Sequence, residues 1–283
     1  MTSRAAGRPS FTIPETLPAC RELLVALDID GTIVDYDGNL HPVVKKGITV
    51  LRRSGADVIL ATGRGISGVM PIARQLDIHE GYAVCSNGAV VTELDDSEEG
   101  YTLTDVVTFD PRDVLEELVE IVPGALFLVD DADGRHLTTG KFPAGELPDD
   151  IPVVSFEEVC HIAASRVTVR APDLSAEELR TIIQDSGMHG VSYSVGWTAW
   201  MDISPQGVSK ASALEMLRGR LERERNATVA VGDGTNDLDM LEWAHWSVAM
   251  GQAMDIVKQS ADALTVSIDE GGLAFVLSAL LTR

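Results

Sequence analysis

The chain is poor in cysteine: Cys20, Cys85 and Cys160 are its only three, far apart and without a CxxC pair. An odd, scattered set excludes a disulfide framework and a zinc knuckle, and free buried thiols in a reducing cytosol fit it better. Basic residues are also scarce, with 22 Lys and Arg against 44 Asp and Glu for a net charge of -22. A field of that sign repels nucleic acid and anionic lipid surfaces, so neither is an expected partner. No apolar run approaches the roughly 18 residues of a membrane span. Residues 1–20 are rich in Pro, Ser and Thr and hold no apolar segment of signal-peptide length. They read as a mobile lead-in to a cytoplasmic protein. The six histidines are dispersed, which leaves zinc without its usual donors.

What remains is an ordinary globular composition on a long chain. At 283 residues, two domains or one domain with a large insertion is the sensible expectation. Leu23 to Leu27 is a short apolar run that stops abruptly at Asp28, as a buried strand does. A helix over His41 to Arg53, a strand over Asp57 to Ala61, a helix near Ile66 to Leu76 and a strand over Tyr82 to Cys85 follow. Strand alternating with helix predicts a parallel sheet covered on both faces. Near Asn87-Gly88 the texture changes to hairpin-like segments, then to the α+β pattern of a separate module. From Ser209 the alternation resumes and runs to a final helix near Gly271 to Leu281. The fold class is therefore α/β, a doubly wound parallel core sheet over residues 21–87 and 204–283, interrupted by an α+β domain over 88–203.

In open parallel sheets, ligands collect beyond the carboxyl ends of the strands. Four polar runs follow a strand or open a helix: Asp28-Ile29-Asp30-Gly31-Thr32, Thr62-Gly63-Arg64, Ser209-Lys210 and Gly232-Asp233-Gly234-Thr235-Asn236-Asp237. Together they bring Asp28, Asp30, Asp233 and Asp237 into one crevice with Lys210 as the main cation. Carboxylates so close disfavour joint ionisation unless a divalent ion binds. A hard, oxygen-liganded ion with room for water and phosphate describes Mg²⁺. One carboxylate can act as a nucleophile toward phosphorus, and a second, two residues on, can exchange the proton of the leaving oxygen. The Thr62 hydroxyl, nearby N–H groups and Lys210 suit the charge that builds on phosphoryl oxygens.

Singly these runs say little. Asp28-x-Asp30 alone reads as a turn, and Lys210 alone as a solvated helix residue. Gly63-Arg64-Gly65-Ile66-Ser67-Gly68 matches the dinucleotide fingerprint GxGxxG, but Ala83 to Gly88 holds none of the acid expected to bind a ribose. Asp35-x-Asp37 and Asp131-x-Asp133 lack the glycine and glutamate of a calcium loop. A signalling receiver domain shares the phospho-accepting Asp, the Thr and the Lys, but there the accepting Asp comes after an earlier acidic pair.

All four runs, in this order, resemble the motifs of the haloacid dehalogenase superfamily, in its Cof-type phosphatase branch with a type IIB cap. The third motif extends over Ile203 to Lys210, Asn87-Gly88 resembles the entry to the cap, and Val248-Ala249-Met250-Gly251 the segment after the fourth motif. The resemblance implies Asp28 as nucleophile and Mg²⁺ ligand, and Asp30 as general acid/base with its carbonyl on the metal. Asp233 would be a direct ligand, and Asp237 one acting through water. Thr62, Gly63 and Lys210 would bind the phosphoryl group, with Asn236 bracing that phosphate loop. It further implies a small phosphorylated metabolite as substrate, sugar phosphates foremost, and a monomer or homodimer. A sugar phosphomutase of the same fold and a catalytically retired sensor of phosphorylated ligands are the alternatives. In the cap, Arg135, His136, Lys141, Arg166, Arg170, Trp197 and Trp200 are candidate substrate contacts, each equally readable as a surface charge or core aromatic.

Overall fold

The computed structural model describes residues 12–186, 191–196 and 199–282; residues 1–11 of the lead-in and Trp197 lie outside them. Thirteen strands are described, in chain order β1 (Leu24–Leu27), β2 (Asp57–Ala61), β3 (Gly81–Cys85), β4 (Val90–Leu94), β5 (Tyr101–Val106), β6 (Leu126–Asp131), β7 (His136–Thr138), β8 (Ala164–Arg170), β9 (Val191–Val195), β10 (Trp200–Pro205), β11 (Thr228–Gly232), β12 (Trp246–Ala249) and β13 (Ala263–Leu264). The described α-helices are α1 (Pro42–Arg53), α2 (Ile66–Gln75), α3 (Arg112–Ile121), α4 (Phe156–Val159), α5 (Ala176–Ser186), α6 (Lys210–Arg220), α7 (Leu238–Trp243), α8 (Asp255–Ser260) and α9 (Gly272–Leu281).

The larger sheet has the order β13-β12-β11-β1-β2-β3-β4-β5, parallel from β13 to β3. Its centre, β1, is buried on both faces, as its unbroken Leu-Val-Ala-Leu run requires. One face packs on α1, α2 and α9, the other on α6 and α7. Helix α1 begins where His41 Nδ1 accepts from the Val43 N–H and Pro42 takes a position that needs no donor. Its buried Val44, Ile48 and Leu51 recur at helical spacing, so one stripe faces the sheet.

The smaller sheet, β7-β6-β8-β10-β9, is antiparallel and carries the second core against α3 and α5. Alternation along its strands separates two faces. Phe127, Val129, Val167, Val169, Met201 and Ile203 turn into that core. Between them lie Asp130, Arg166, Thr168 and Asp202, with Asp130 opposite Arg166 and Asp202 opposite Thr168. The polar face is turned to the strand ends of the larger sheet, where the two sheets share a cavity. The molecule is thus an α/β core with an inserted α+β cap.

The expected start of the insertion, residue 88, falls inside the larger sheet. A tight turn over Ser86–Gly88 reverses the chain, and β4 pairs with β3 while β5 pairs with β4. Hairpin pairing needs only a neighbouring strand, so these two strands extend the core sheet. The change from parallel to antiparallel texture reads in sequence as a new module, while the second sheet begins only at Leu126. The short strands β12 and β13 are further additions to the sequence reading. Among the described residues no helix is long and apolar enough to cross a membrane.

Candidate active site

A cavity of about 890 Å³ lies between the polar face of the cap and the carboxyl ends of the central core strands. Because β1 and β11 are adjacent and parallel, Asp28 and Asp233 leave the sheet side by side. Asp28 still donates its N–H to Val231 at 3.0 Å, so its backbone is fixed by the end of the ladder. Asp237 closes the loop after β11: its Oδ2 accepts from the N–H groups of Asp233 and Gly234, both at 2.9 Å. One carboxylate oxygen each from Asp28, Asp233 and Asp237 lies within 4.8 Å of the others, and all three residues are buried.

Lys210 enters from α6, whose first turn is fixed by the Ser209 cap. Its Nζ lies 2.7 Å from Asp28 Oδ1 and 2.6 Å from Asp237 Oδ1, and the side chain is wholly buried. Burial alone would lower the Lys210 pKa, but Asp237 and Asp28 outweigh it and raise it, so the ammonium stays charged. The converse holds for the acids. Burial, together with Asp237, pushes Asp28 well above the usual carboxylate range despite Lys210. Burial pushes Asp233 up to about 6 against a hydrogen bond from Tyr36.

Three buried carboxyl groups share one ammonium, so ionising all of them would leave a surplus of negative charge in an all-oxygen donor set. That set fits a hard divalent cation, and Asp28, Asp233 and Asp237 are the side chains that would hold it. Gly31 is fitted to the same cluster: at φ +78°, an added Cβ would stand 2.3 Å from Asp233 Oδ2.

The carboxylate of Asp30 lies apart from this cluster. It accepts two hydrogen bonds from Arg64, one of them from Nε at 2.8 Å, in the planar fork that suits a guanidinium. Thr62, at the end of β2, is buried, and its Oγ1 accepts from the Arg64 N–H at 3.1 Å. The hydroxyl proton is thereby left to donate. Gly63 lies against the Asn87 and Asn236 amides, where Asn236 Nδ2 donates to Asn87 Oδ1 at 3.0 Å.

All eight core residues singled out from sequence therefore meet at one end of the sheet, in two groups: the buried acid cluster with Lys210, and the Thr62 loop with Asp30 and Asn236. The cap candidates divide. Arg166 and Trp200 line the cavity, and His136 meets the core through Ser67. Arg135 pairs with Asp131, exposed Lys141 faces Asp149 at 4.0 Å, and Arg170 is bound to Glu146, none of them lining the cavity.

Two contributors escape the sequence reading. Tyr36 donates its hydroxyl to Asp233 Oδ2 at 2.6 Å, and Gln252 donates to Gly31 O at 2.6 Å and to Asp233 Oδ2 at 3.2 Å. Gln252 directly follows the Val248 to Gly251 segment, which was its available signal. Tyr36 sits in the Asp35-x-Asp37 run, where Asp35 caps its own turn through the N–H groups of Asp37 and Asn39.

The sequence pattern of haloacid dehalogenase-like hydrolases matches residues 25–277. YkrA of Bacillus subtilis is 30% identical over 265 residues, covering 91% of this chain and 97% of its own. The 5-amino-6-(5-phospho-D-ribitylamino)uracil phosphatase YitU of Bacillus subtilis is 28% identical, covering 89% of this chain and 94% of its own. Pyridoxal phosphate phosphatase YbhA of Escherichia coli is 28% identical, covering 84% and 91%. Among solved structures, the subclass IIB sugar phosphatase BT4131 superposes with a TM-score of 0.76 at 21% identity, over 91% of this chain and 98% of that one.

Proposed function

Since the chain belongs to the haloacid dehalogenase-like hydrolase family and is one of its phosphatases, we propose that it hydrolyses small phosphorylated metabolites, sugar phosphates foremost, through a phosphoryl group carried on Asp28, with Mg²⁺ in the acidic cluster. One observation carries the reading: Asp28 lines the cavity between core and cap, beside Lys210 at 2.7 Å and within 4.8 Å of two further buried carboxylates. Bound Mg²⁺ would neutralise the cluster and draw charge from the phosphoryl oxygens.

The chain's own groups perform the transfer. An Asp28 carboxylate oxygen attacks phosphorus, the bond to the ester oxygen breaks, and Asp30 gives that oxygen its proton. Asp30 then takes a proton from water, whose oxygen attacks the phosphorus. The bond to Asp28 breaks, releasing inorganic phosphate and the free carboxylate. Lys210 favours the Asp28 anion against a burial that opposes ionisation, and the Thr62 hydroxyl donates to a phosphoryl oxygen. The cap closes the cavity to bulk water, as lids do.

The substrates named for the relatives support this class. They are a phosphoribitylaminouracil for YitU, pyridoxal phosphate for YbhA, and sugar phosphates for BT4131. The test is phosphate release over a panel of sugar phosphates, nucleotides and cofactor phosphates, with Mg²⁺ and with EDTA. Turnover that needs Mg²⁺ and vanishes in Asp28→Asn supports the reading; turnover indifferent to both would sink it.

A further inference from the structure

Three successive carbonyls of the loop after β2 have separate holders. Thr62 O accepts from the Asn87 N–H at 3.0 Å and Arg64 O from the Ser86 N–H at 2.8 Å, both within the core. Gly63 O accepts instead from the cap, from Nη1 of Arg166 at 2.6 Å. The peptide unit that ends in this carbonyl carries at its other end the Arg64 N–H, which donates to Thr62 Oγ1 at 3.1 Å. A trans peptide is planar, with C=O and N–H pointing opposite ways, so fixing one fixes the other. A guanidinium on Gly63 O therefore sets the direction of the N–H on Thr62.

Arg166 is built to stay where it is. It is buried, and its Nε and Nη2 both lie 2.8 Å from Asp130 Oδ2. Asp130 Oδ1 is 2.6 Å from His136 Nδ1, and His136 Nε2 is 2.6 Å from Ser67 Oγ at the start of α2. The cap thus meets the loop and the helix that follows it at two points, with Gly65 between them. A Cβ on Gly65 would stand 3.1 Å from both Asp130 Oδ2 and His136 Cε1, so any side chain there presses on the contact and a branched one pushes the two surfaces apart. Balancing Asp130 would account for a buried arginine, but not for its bond to Gly63.

We propose that Arg166 is a positioning residue for phosphoryl transfer: docking of the cap orients the Gly63–Arg64 peptide, which aims the Thr62 hydroxyl at the transferring group. The inference rests on the phosphatase reading above and adds a cap residue that acts through the core. It makes the phosphate loop complete only while the cap is docked, which ties chemistry to closure.

The test compares wild type, Arg166→Lys, Gly65→Val and the double variant in Mg²⁺, using a phosphomonoester that the wild type hydrolyses. Vanadate, which mimics five-coordinate phosphorus, and inorganic phosphate serve as inhibitors, and thermal unfolding reports folding. Arg166→Lys keeps a cation opposite Asp130 but loses the fork that spans Asp130 and Gly63. Each single variant is expected to lose about 10- to 100-fold in kcat with a smaller change in KM. Vanadate inhibition should weaken in step with kcat/KM, and phosphate inhibition less. The double variant should be no worse than the poorer single one, because both break one relay. Wild-type kcat in Arg166→Lys and Gly65→Val, or losses that multiply in the double variant, would overturn the inference while leaving the phosphatase reading intact. A wild-type protein that hydrolyses no phosphomonoester would overturn that reading, and this inference with it.

Discussion

Lys210 and Asp28, 182 residues apart in sequence, form a buried ion pair at 2.7 Å in which the lysine is inaccessible to solvent. The same ammonium holds Asp237, so one cation joins the carboxylate after β1 to the loop after β11. Lys210→Met is expected to lower kcat by about 100-fold or more. Leaving two buried carboxylates without their cation should also cost about 3–5 kcal/mol of stability. Urea unfolding in EDTA checks the second figure, and Mg²⁺ should restore part of the loss by supplying the missing charge.

Arg64 fixes the Asp30 carboxylate through a two-point fork. Arg64→Met should therefore release the proton donor without emptying the acid cluster. Its kcat/KM, which reports the first transfer alone, is expected to fall about 10- to 100-fold on alkyl phosphates. The loss should be much smaller on 4-nitrophenyl phosphate, whose leaving oxygen needs little protonation. Equal losses on both substrates would mean that Arg64 does not serve proton transfer.

The core and its site were largely legible because their signals are local. A buried parallel strand announces itself as an apolar run, and Asp28, Thr62 and Asp233 each stand where such a run ends. The cap boundary was not legible, because β4 and β5 belong to the core sheet through pairing, and pairing partners leave no mark in a single strand. Tyr36 reaches Asp233 across 197 positions and Arg166 reaches Gly63 across 103, so neither contact had a sequence signal. Arg64 lay inside a recognised motif, yet only the structure pairs it with Asp30.

Gly31→Ala places a side chain into the Asp233 carboxylate from a backbone at φ +78°, where only glycine is unstrained. The expected outcome is weaker Mg²⁺ activation, with the half-saturating concentration rising about tenfold or more. Far-ultraviolet circular dichroism should remain that of the wild type. An unchanged activation curve would show that the loop can yield without moving Asp233.

Asp130 supplies the pH prediction. Burial raises its pKa, but Arg166 and then His136 outweigh burial and hold the carboxyl below its ordinary value; Asp202 is the nearby acid sharing Arg166. A depressed folded-state pKa contributes stability that is complete above the unfolded value and disappears as pH falls through the folded one. Wild type should therefore exceed Asp130→Asn in urea stability at neutral pH. The gap should narrow below about pH 4. A gap independent of pH across that range would contradict the charge pairing.

The most direct measurement is acid quenching of the protein during Mg²⁺-dependent turnover, followed by mass spectrometry of its peptides. Phosphoryl on the peptide carrying Asp28, base-labile and missing from Asp28→Asn, is the predicted result. Turnover with no phosphoryl-enzyme at any quench time, or with the label on another residue, would contradict Asp28 as the nucleophile.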